Sequence, residues 1–242
     1  MRLRAAPRGQ ALRHPLAQLP GGPTEESARV TDRTWALHMR ELLDQAQGVR
    51  LDLASYTADF EERFWRIGGE DFWKLECLQE YQETGFPSWE AFRAGQWERS
   101  LHLIEDLRPE FEQYYRRASA AGFRLHRVRV VERPVTPYTQ WELEVLNLRS
   151  QCGEQVTVVD GLREPRDPDA DPVRLPDLVV LGTEAVYEVH YGEGGSPAGA
   201  TRHTAPAVVE GARGFIQRLH RSGESLESYY PREIAGLGAP QL

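Results

Sequence analysis

The residues best suited to chemistry lie between Arg127 and Glu142, where two arginines, a tyrosine and acidic side chains follow one another closely. Arg127 and Arg129 alternate with valines, and Glu142 and Glu144 follow after a proline-rich corner. Guanidinium groups bind carboxylates and phosphates through directed pairs of hydrogen bonds, and a neighbouring carboxylate orients them. The alternation predicts a β-hairpin with arginines on one strand and glutamates on the other.

This hairpin supports two interpretations. In the first, opposite charges face each other across antiparallel strands as a solvated ladder, which contributes about 0.2–1 kcal/mol per pair. In the second, the hairpin holds an anionic ligand or a partner, and the predicted binding residues are Arg127, Arg129, Tyr138, Trp141 and Glu142. The ladder is favoured because neither a histidine nor a nucleophile accompanies the set.

The same residues support an enzymatic alternative that processes phosphodiesters or nucleotides. The arginines would hold a phosphate and a carboxylate would act as the base, the candidates being Glu76, Glu142 and Asp177. No histidines have the i, i+4 spacing of a helical zinc site, and the acidic run 167–171 lacks the glycine and glutamate of a calcium loop. The sequence therefore assigns no catalytic residue, metal ligand or cofactor, and a non-enzymatic role is preferred.

The chain has one lysine, Lys74, and this count excludes three classes of enzyme. A phosphate-binding P-loop needs Gly-Lys-Ser/Thr, but leucine follows Lys74. A Ser-x-x-Lys pair needs serine where Asp71 stands, and a His-x-Lys phosphodiesterase motif needs histidine where Phe72 stands.

Composition indicates a globular protein of the cytoplasm. Hydrophobic residues make up 40% of the chain and charged residues 27%, and no apolar run approaches the length of a transmembrane helix. The net charge of −8 makes nucleic-acid binding an unfavoured prediction. Cys77 and Cys152 are too few for a disulfide framework, which favours reduced thiols.

A change of hydrophobic period divides the chain into helices and strands. Helices are predicted from Asp32 to Gly48, and at 56–68, 88–95, 97–121 with a kink at Pro109, and 206–221. Strands are predicted at 124–132, 139–148, 155–160, 177–182 and 185–191, with a weaker one near 73–77.

These elements predict an α+β fold with N-terminal helices, a mostly antiparallel sheet of about five strands and a C-terminal helix. Four parts are predicted along the chain. They are a flexible Arg/Pro/Gly-rich tail at 1–30, a helical hairpin packed on the body at 31–69, an α+β domain at 70–230 and a flexible C-terminus at 231–242.

Several segments resemble the actinobacterial domain-of-unknown-function family 6879. The resemblance is carried by Phe72–Glu76, Trp89–Gly95, Arg127–Val131, Pro137–Tyr138, Trp141–Glu142 and Gly153–Glu154, and it spans roughly residues 50–230. The family often has an Asp-Phe-x-x-Phe-Asp pattern, whereas Asp177–Gly182 lacks the second acid. The resemblance implies actinobacterial proteins that neighbour small helix-turn-helix regulators, and it carries no activity.

Together these observations predict a cytoplasmic, non-enzymatic regulatory or interaction module. It would bind a protein partner or a small anionic ligand and have no membrane segment. A regulator of the helix-turn-helix type is the protein partner that the resemblance implies, by association alone.

Overall fold

An eight-stranded mixed sheet lies at the centre of the part of the chain that the structure describes. The structure is a computed structural model, and it describes residues 36–68, 70–160 and 175–241. The strands run in the order β1-β7-β6-β5-β2-β3-β4-β8. They are β1 Val49–Leu51, β2 Phe72–Glu76, β3 Leu125–Val131, β4 Gln155–Asp160, β5 Asp177–Leu181, β6 Ala185–Tyr191, β7 Pro197–His203 and β8 Glu224–Ser225.

The described ranges contain eight α-helices. They are α1 at 36–45, α2 Leu53–Phe64, α3 Pro87–Arg93, α4 Trp97–Glu105, α5 Arg108–Ala120, α6 Pro137–Cys152, α7 Pro206–Ser222 and α8 Leu226–Glu233. A short 3-10 helix, Glu193–Gly195, joins β6 to β7. None of the helices in the described ranges has both the length and the apolar character needed to cross a membrane.

Strand β3 is buried along its whole length. It pairs in parallel with β2 on one side and with β4 on the other, whereas the other neighbours in the sheet are antiparallel. Helices lie on both faces, as expected for the parallel part of a sheet. The apolar residues on one face contact α1 and α7, and this face is called the α7 face.

The opposite face, called the α6 face, is covered by α2 on one side and by α5 and α6 in the centre. Phe72 and Leu125 pack there with Phe64 of α2 and Tyr115 of α5. At the far side, Val131 and strand β4 pack with α6 and α8. Between these two apolar regions the α6 face carries polar residues, namely Lys74, Glu76, Arg127, Arg129 and Asp177.

The predictions for strands at 124–132, 155–160, 177–182 and 185–191 are confirmed as β3, β4, β5 and β6. The prediction of about five mostly antiparallel strands is wrong, because the sheet has eight strands in the described ranges and is mixed. Strand β7 was missed since its sequence, PAGATRH, is typical of a turn. β1 and β8 are too short to show a period.

Among the helices, the predicted break near Pro109 separates α4 from α5. The two N-terminal helices lie on opposite faces of the sheet, with β1 between them. Helix α8 crosses the predicted boundary at residues 230–231. The tail predicted at 1–30 and the acidic run at 167–171 lie outside the described residues.

Replacement of Gly199 by alanine is expected to loosen β1 from the edge of the sheet. Gly199 has a φ angle of +118°, and an added Cβ would lie 2.2 Å from the carbonyl oxygen of Leu51 in β1. Because both the backbone conformation and the contact exclude a side chain, we expect the free energy of unfolding to fall by about 1–3 kcal/mol. Chemical denaturation measures this loss.

Gly214 of α7 provides the matched control. An added Cβ at this position meets no atom within 4 Å, and alanine favours a helix by up to about 1 kcal/mol over glycine. Gly214→Ala is therefore expected to leave stability unchanged or raised. Equal losses in the two variants would contradict the close approach of β1 and β7.

Candidate functional site

Two arginines of β3 point toward the α6 face and are buried there. Alternation along the strand sends Arg127 and Arg129 to this face, whereas Val128 and Val130 face α7. The side chain of Arg127 is 8% exposed and that of Arg129 is 0% exposed. The arginines therefore lie inside the protein, and the predicted solvated ladder is wrong.

The strand predicted at 139–148 is also wrong, because these residues belong to helix α6. The helix begins after Thr136, whose Oγ1 accepts a hydrogen bond from the Thr139 amide at 3.0 Å, and Pro137 occupies its first position. Thr and Pro are favoured at a helix start. It ends at Gly153, which has a φ angle of +130°.

This helix sends the two glutamates of the predicted hairpin in different directions. Successive residues of a helix are rotated by about 100°, so two positions two residues apart lie on different sides. Glu142 points to the sheet and accepts a hydrogen bond from Arg129 Nε at 2.6 Å. Glu144 accepts a hydrogen bond from Tyr230 of α8 at 2.5 Å.

Glu76 of β2 is the centre of a buried set of ion pairs. Its Oε2 contacts Arg127 Nη1, and its Oε1 lies 2.5 Å from Lys74 Nζ. Lys74 and Arg127 are partners in the register between β2 and β3, so the two cations converge on the same carboxylate. Lys74 is the more accessible of the two, with a side chain that is 27% exposed.

Glu154, directly after α6, connects the same arginine to two further groups. Arg127 Nε donates to Glu154 Oε1 at 2.8 Å, while Arg149 Nε and the Tyr115 hydroxyl donate to Oε2 at 2.8 and 2.6 Å. In the sequence, Glu154 belongs to the Gly153–Glu154 segment that carries the family resemblance. Tyr115 and Arg149 were not predicted, because no local pattern links α5 and α6 to β3.

Arg129 makes the second buried ion pair. Besides Glu142, it donates from Nη1 to the Val130 carbonyl oxygen at 2.7 Å, and its guanidinium lies 5.7 Å from the centre of the Tyr81 ring. Arg129 Nη2 has no hydrogen-bond partner among the described residues. These ion-paired residues are called the charge cluster, and they are Lys74, Glu76, Arg127, Arg129, Glu142, Arg149 and Glu154.

The three carboxylates of the charge cluster differ in pKa. Burial opposes the ionisation of Glu76, but the charges of Arg127 and Lys74 outweigh burial and lower the pKa of Glu76. Glu154 behaves in the same way, and its two arginines lower its pKa to about 2. Burial raises the pKa of Glu142 to about 7. The negative charge of Glu76 adds to this increase, whereas the positive charge of Arg129 opposes it.

Asp177 lies at the edge of the charge cluster, where β5 begins beside the end of β2. It accepts hydrogen bonds from the Cys77 amide at 2.8 Å, the Tyr81 hydroxyl at 2.5 Å and the Tyr191 hydroxyl at 2.9 Å. Burial raises the pKa of Asp177. Among the predicted candidate bases, Glu76 and Glu142 belong to the charge cluster. Asp177 is connected to it through Tyr81, whose hydroxyl donates to Asp177 and whose ring lies beside Arg129.

Tyr138 and Trp141 lie in an aromatic cluster over the other side of α6. The Trp141 ring nitrogen donates to Ser88 Oγ at 2.9 Å, and the Tyr138 hydroxyl donates to Glu83 at 3.1 Å. Both rings pack with Trp89 of α3. They are 3% and 2% exposed, so they support the position of α6 and do not form a free surface.

Two surface cavities lie away from the charge cluster. One has a volume of about 510 Å³ beside Asp71 and Arg124, and the other of about 340 Å³ beside Pro87 and Gln96. Neither includes a residue of the charge cluster. Within the described ranges, no three His, Cys, Asp or Glu side chains are grouped so that they could hold a metal ion.

Glu154→Gln is expected to reduce both stability and its dependence on acid. The pKa of Glu154 is about 2 in the folded protein and about 4.3 in an unfolded chain. The ionised carboxylate therefore stabilises the fold above about pH 4, and this contribution disappears as the pH falls toward 2. At pH 7 the substitution removes one side of a buried ion pair, at a cost of about 3–5 kcal/mol.

Denaturation of both proteins between pH 7 and pH 3 measures this effect, and the wild type should lose more stability than the variant on acidification. Glu62→Gln is the matched control, because Glu62 pairs with Arg66 on the surface and such pairs contribute under about 1 kcal/mol. Parallel pH curves for the wild type and Glu154→Gln would contradict the role of this carboxylate.

A comparison with protein-family models finds one match. The model described as Domain of unknown function (DUF6879) matches residues 58–231, which contain the whole charge cluster. Neither a curated protein nor a solved structure matches the chain significantly.

Proposed function

The chain belongs to the DUF6879 family, and we propose that it is a non-enzymatic module that binds a small anionic ligand beside Lys74. The proposal rests on the position of Lys74 at the accessible end of the charge cluster. Its side chain is 27% exposed and that of Arg149 is 25% exposed, whereas those of Glu76 and Arg127 are each 8% exposed; of the two accessible cations, Lys74 is the one that pairs with Glu76. An ammonium on a flexible stem that reaches solvent is suited to meet an anion.

The surroundings of Lys74 also suit a polar ligand. Burial raises the pKa of Tyr56 to about 12, and the charge of Glu76 adds to this increase. Burial and the charge of Asp177 raise the pKa of Tyr191, and the charge of Glu76 adds to this increase. Both tyrosines are partly buried, but the Tyr191 hydroxyl already donates to Asp177, so the neutral phenol of Tyr56 is the hydrogen-bond donor that we propose for the anion.

The residues predicted from the sequence keep distinct roles in this proposal. Arg127, which pairs with the same carboxylate as Lys74, supplies a second positive charge near the ligand. The buried pair of Arg129 and Glu142 sets the net charge of the interior part of the site. Tyr138 and Trp141 hold α6 in position. Binding of a helix-turn-helix regulator, a regulatory role and an actinobacterial origin remain proposals that rest on family resemblance. A cytoplasmic location remains a proposal that rests on composition and on the two cysteines.

Lys74→Met is expected to weaken the binding of sulfate by at least about tenfold, or roughly 1.4 kcal/mol. Methionine keeps an unbranched apolar side chain and removes the ammonium group, so the loss of affinity measures the contribution of the positive charge. Lys74→Arg keeps the charge and should retain most of the affinity. Isothermal titration calorimetry with sulfate at pH 6.5 measures all three proteins.

Arg116→Met is the control for net charge. It removes one positive charge from the exposed face of α5, where Arg116 pairs with Glu112, and its sulfate affinity should match that of the wild type. Equal losses in Lys74→Met and Arg116→Met would refute a site at Lys74. Failure of the wild type to bind sulfate would refute the anion-binding function.

An enzyme that processes phosphodiesters or nucleotides is the second candidate, and the pKa of about 7 at Glu142 favours it. A carboxylate with such a pKa beside an arginine suits proton transfer. The test is hydrolysis of bis(4-nitrophenyl) phosphate by the wild type and by Glu142→Gln. Turnover that disappears in the variant would replace the binding function by the enzymatic one.

A further inference from the structure

Glu76 and Glu142 both contact Arg129, but their carboxylates have different numbers of cationic partners. Arg129 donates to the Glu142 carboxylate at 2.6 Å and reaches the Glu76 carbonyl oxygen at 3.4 Å. The Glu76 carboxylate has two further cations, Lys74 and Arg127. Glu142 has Arg129 as its hydrogen-bond partner in the described structure. Of the two buried carboxylates, Glu142 is therefore the one that takes up a proton more readily.

The ionisable groups around Glu142 come from β2, β3, the connection between β2 and α3, and α6 itself. The groups that act on it are Arg127 and Arg129 from β3, Glu76 from β2, Tyr81 from the connection between β2 and α3, and Tyr138 from α6 itself. The ionisable groups that α5 and α8 present to α6 bind elsewhere, because Tyr115 contacts Glu154 and Tyr230 contacts Glu144. Burial is the largest influence on the pKa of Glu142 and raises it to about 7.

Protonation of Glu142 changes the charge of the whole site. The charge cluster contains four cations and three carboxylates, so it has one excess positive charge when all are ionised. A proton on Glu142 increases this excess to two. Asp177 lies beside the cluster and offsets one positive charge when it is ionised. In either state of Asp177, the site attracts an anion more strongly after Glu142 is protonated.

We infer that anion binding at Lys74 is coupled to proton uptake by Glu142, so that the site holds its ligand more tightly in acid. This inference rests on the proposed function. The coupling is reciprocal, since a bound anion also makes the protonated form of Glu142 more favourable. The physical link is the charge cluster itself, in which Glu76 connects Lys74 and Arg127 to the surroundings of Arg129 and Glu142.

Sulfate is the appropriate probe because, unlike phosphate, it does not titrate near pH 7. We expect the dissociation constant of the wild type for sulfate to fall at least about fivefold between pH 8 and pH 6, and one coupled proton limits the change to about tenfold per pH unit. Glu142→Gln carries a neutral side chain of similar shape. It should bind sulfate with little pH dependence, at an affinity near that of the wild type at pH 6.

Glu144→Gln is the matched control, since Glu144 lies on the same helix and its raised pKa reflects its own burial beside Tyr230. It should keep the pH dependence of the wild type. A measurement on the wild type alone complements the variants. Calorimetric titration near pH 7 in two buffers with different ionisation enthalpies counts the protons taken up with sulfate, even when Glu142→Gln does not fold.

The outcomes separate this inference from the function on which it rests. Proton uptake in the wild type, together with a flat pH profile in Glu142→Gln, supports the coupling. Sulfate binding without proton uptake, or with equal pH dependence in the wild type and Glu142→Gln, overturns the coupling and leaves the anion site intact. Absence of sulfate binding at every pH overturns both.

Discussion

The interaction on which the rest of the structure depends is the sharing of Arg127 between Glu76 and Glu154. This guanidinium lies in the middle of β3, between β2 and β4, and it contacts a carboxylate from β2 and another from the turn after α6. A buried charge without partners costs several kcal/mol, so the arginine is tolerated only if both carboxylates reach it. That requirement constrains the position of β2, β3 and the end of α6 relative to one another.

Apolar packing on both sides of the charge cluster explains why helices, and not solvent, cover the α6 face. Apolar residues at both sides of the face pack against α2, α5, α6 and α8, and the polar residues between them are enclosed as a consequence. Tyr115, Arg149 and the carboxylates satisfy most of their hydrogen-bonding groups, with Arg129 Nη2 as an exception. Lys74 and Arg149 are the two cations of the cluster that remain partly exposed, and Lys74 is the one that pairs with Glu76 beside Arg127, where the ligand is proposed.

The strand β3 could be predicted from the sequence, whereas the helix after it could not. In β3, arginine and valine alternate from Arg127 to Val130, and this period of two predicts a strand. In α6, Trp141, Leu143 and Val145 alternate with Glu142 and Glu144 and imitate a strand. The helix packs against the sheet, α3 and α8 at once, so its apolar residues occupy several sides and give no single stripe. Thr136, Pro137 and Gly153 were local signals for its two ends.

The sequence by itself determined which residues carry charge and which strand the arginines occupy, because residue type and side-chain alternation are local properties. It also identified Glu76 and Glu142 as candidate carboxylates for the same site. Only the tertiary structure decided that Arg127 joins Glu76 to Glu154 and that Arg129 pairs with Glu142. These contacts connect residues that are 13 to 51 positions apart. Burial and partner choice depend on how helices cover the sheet, and no short-range pattern encodes that arrangement.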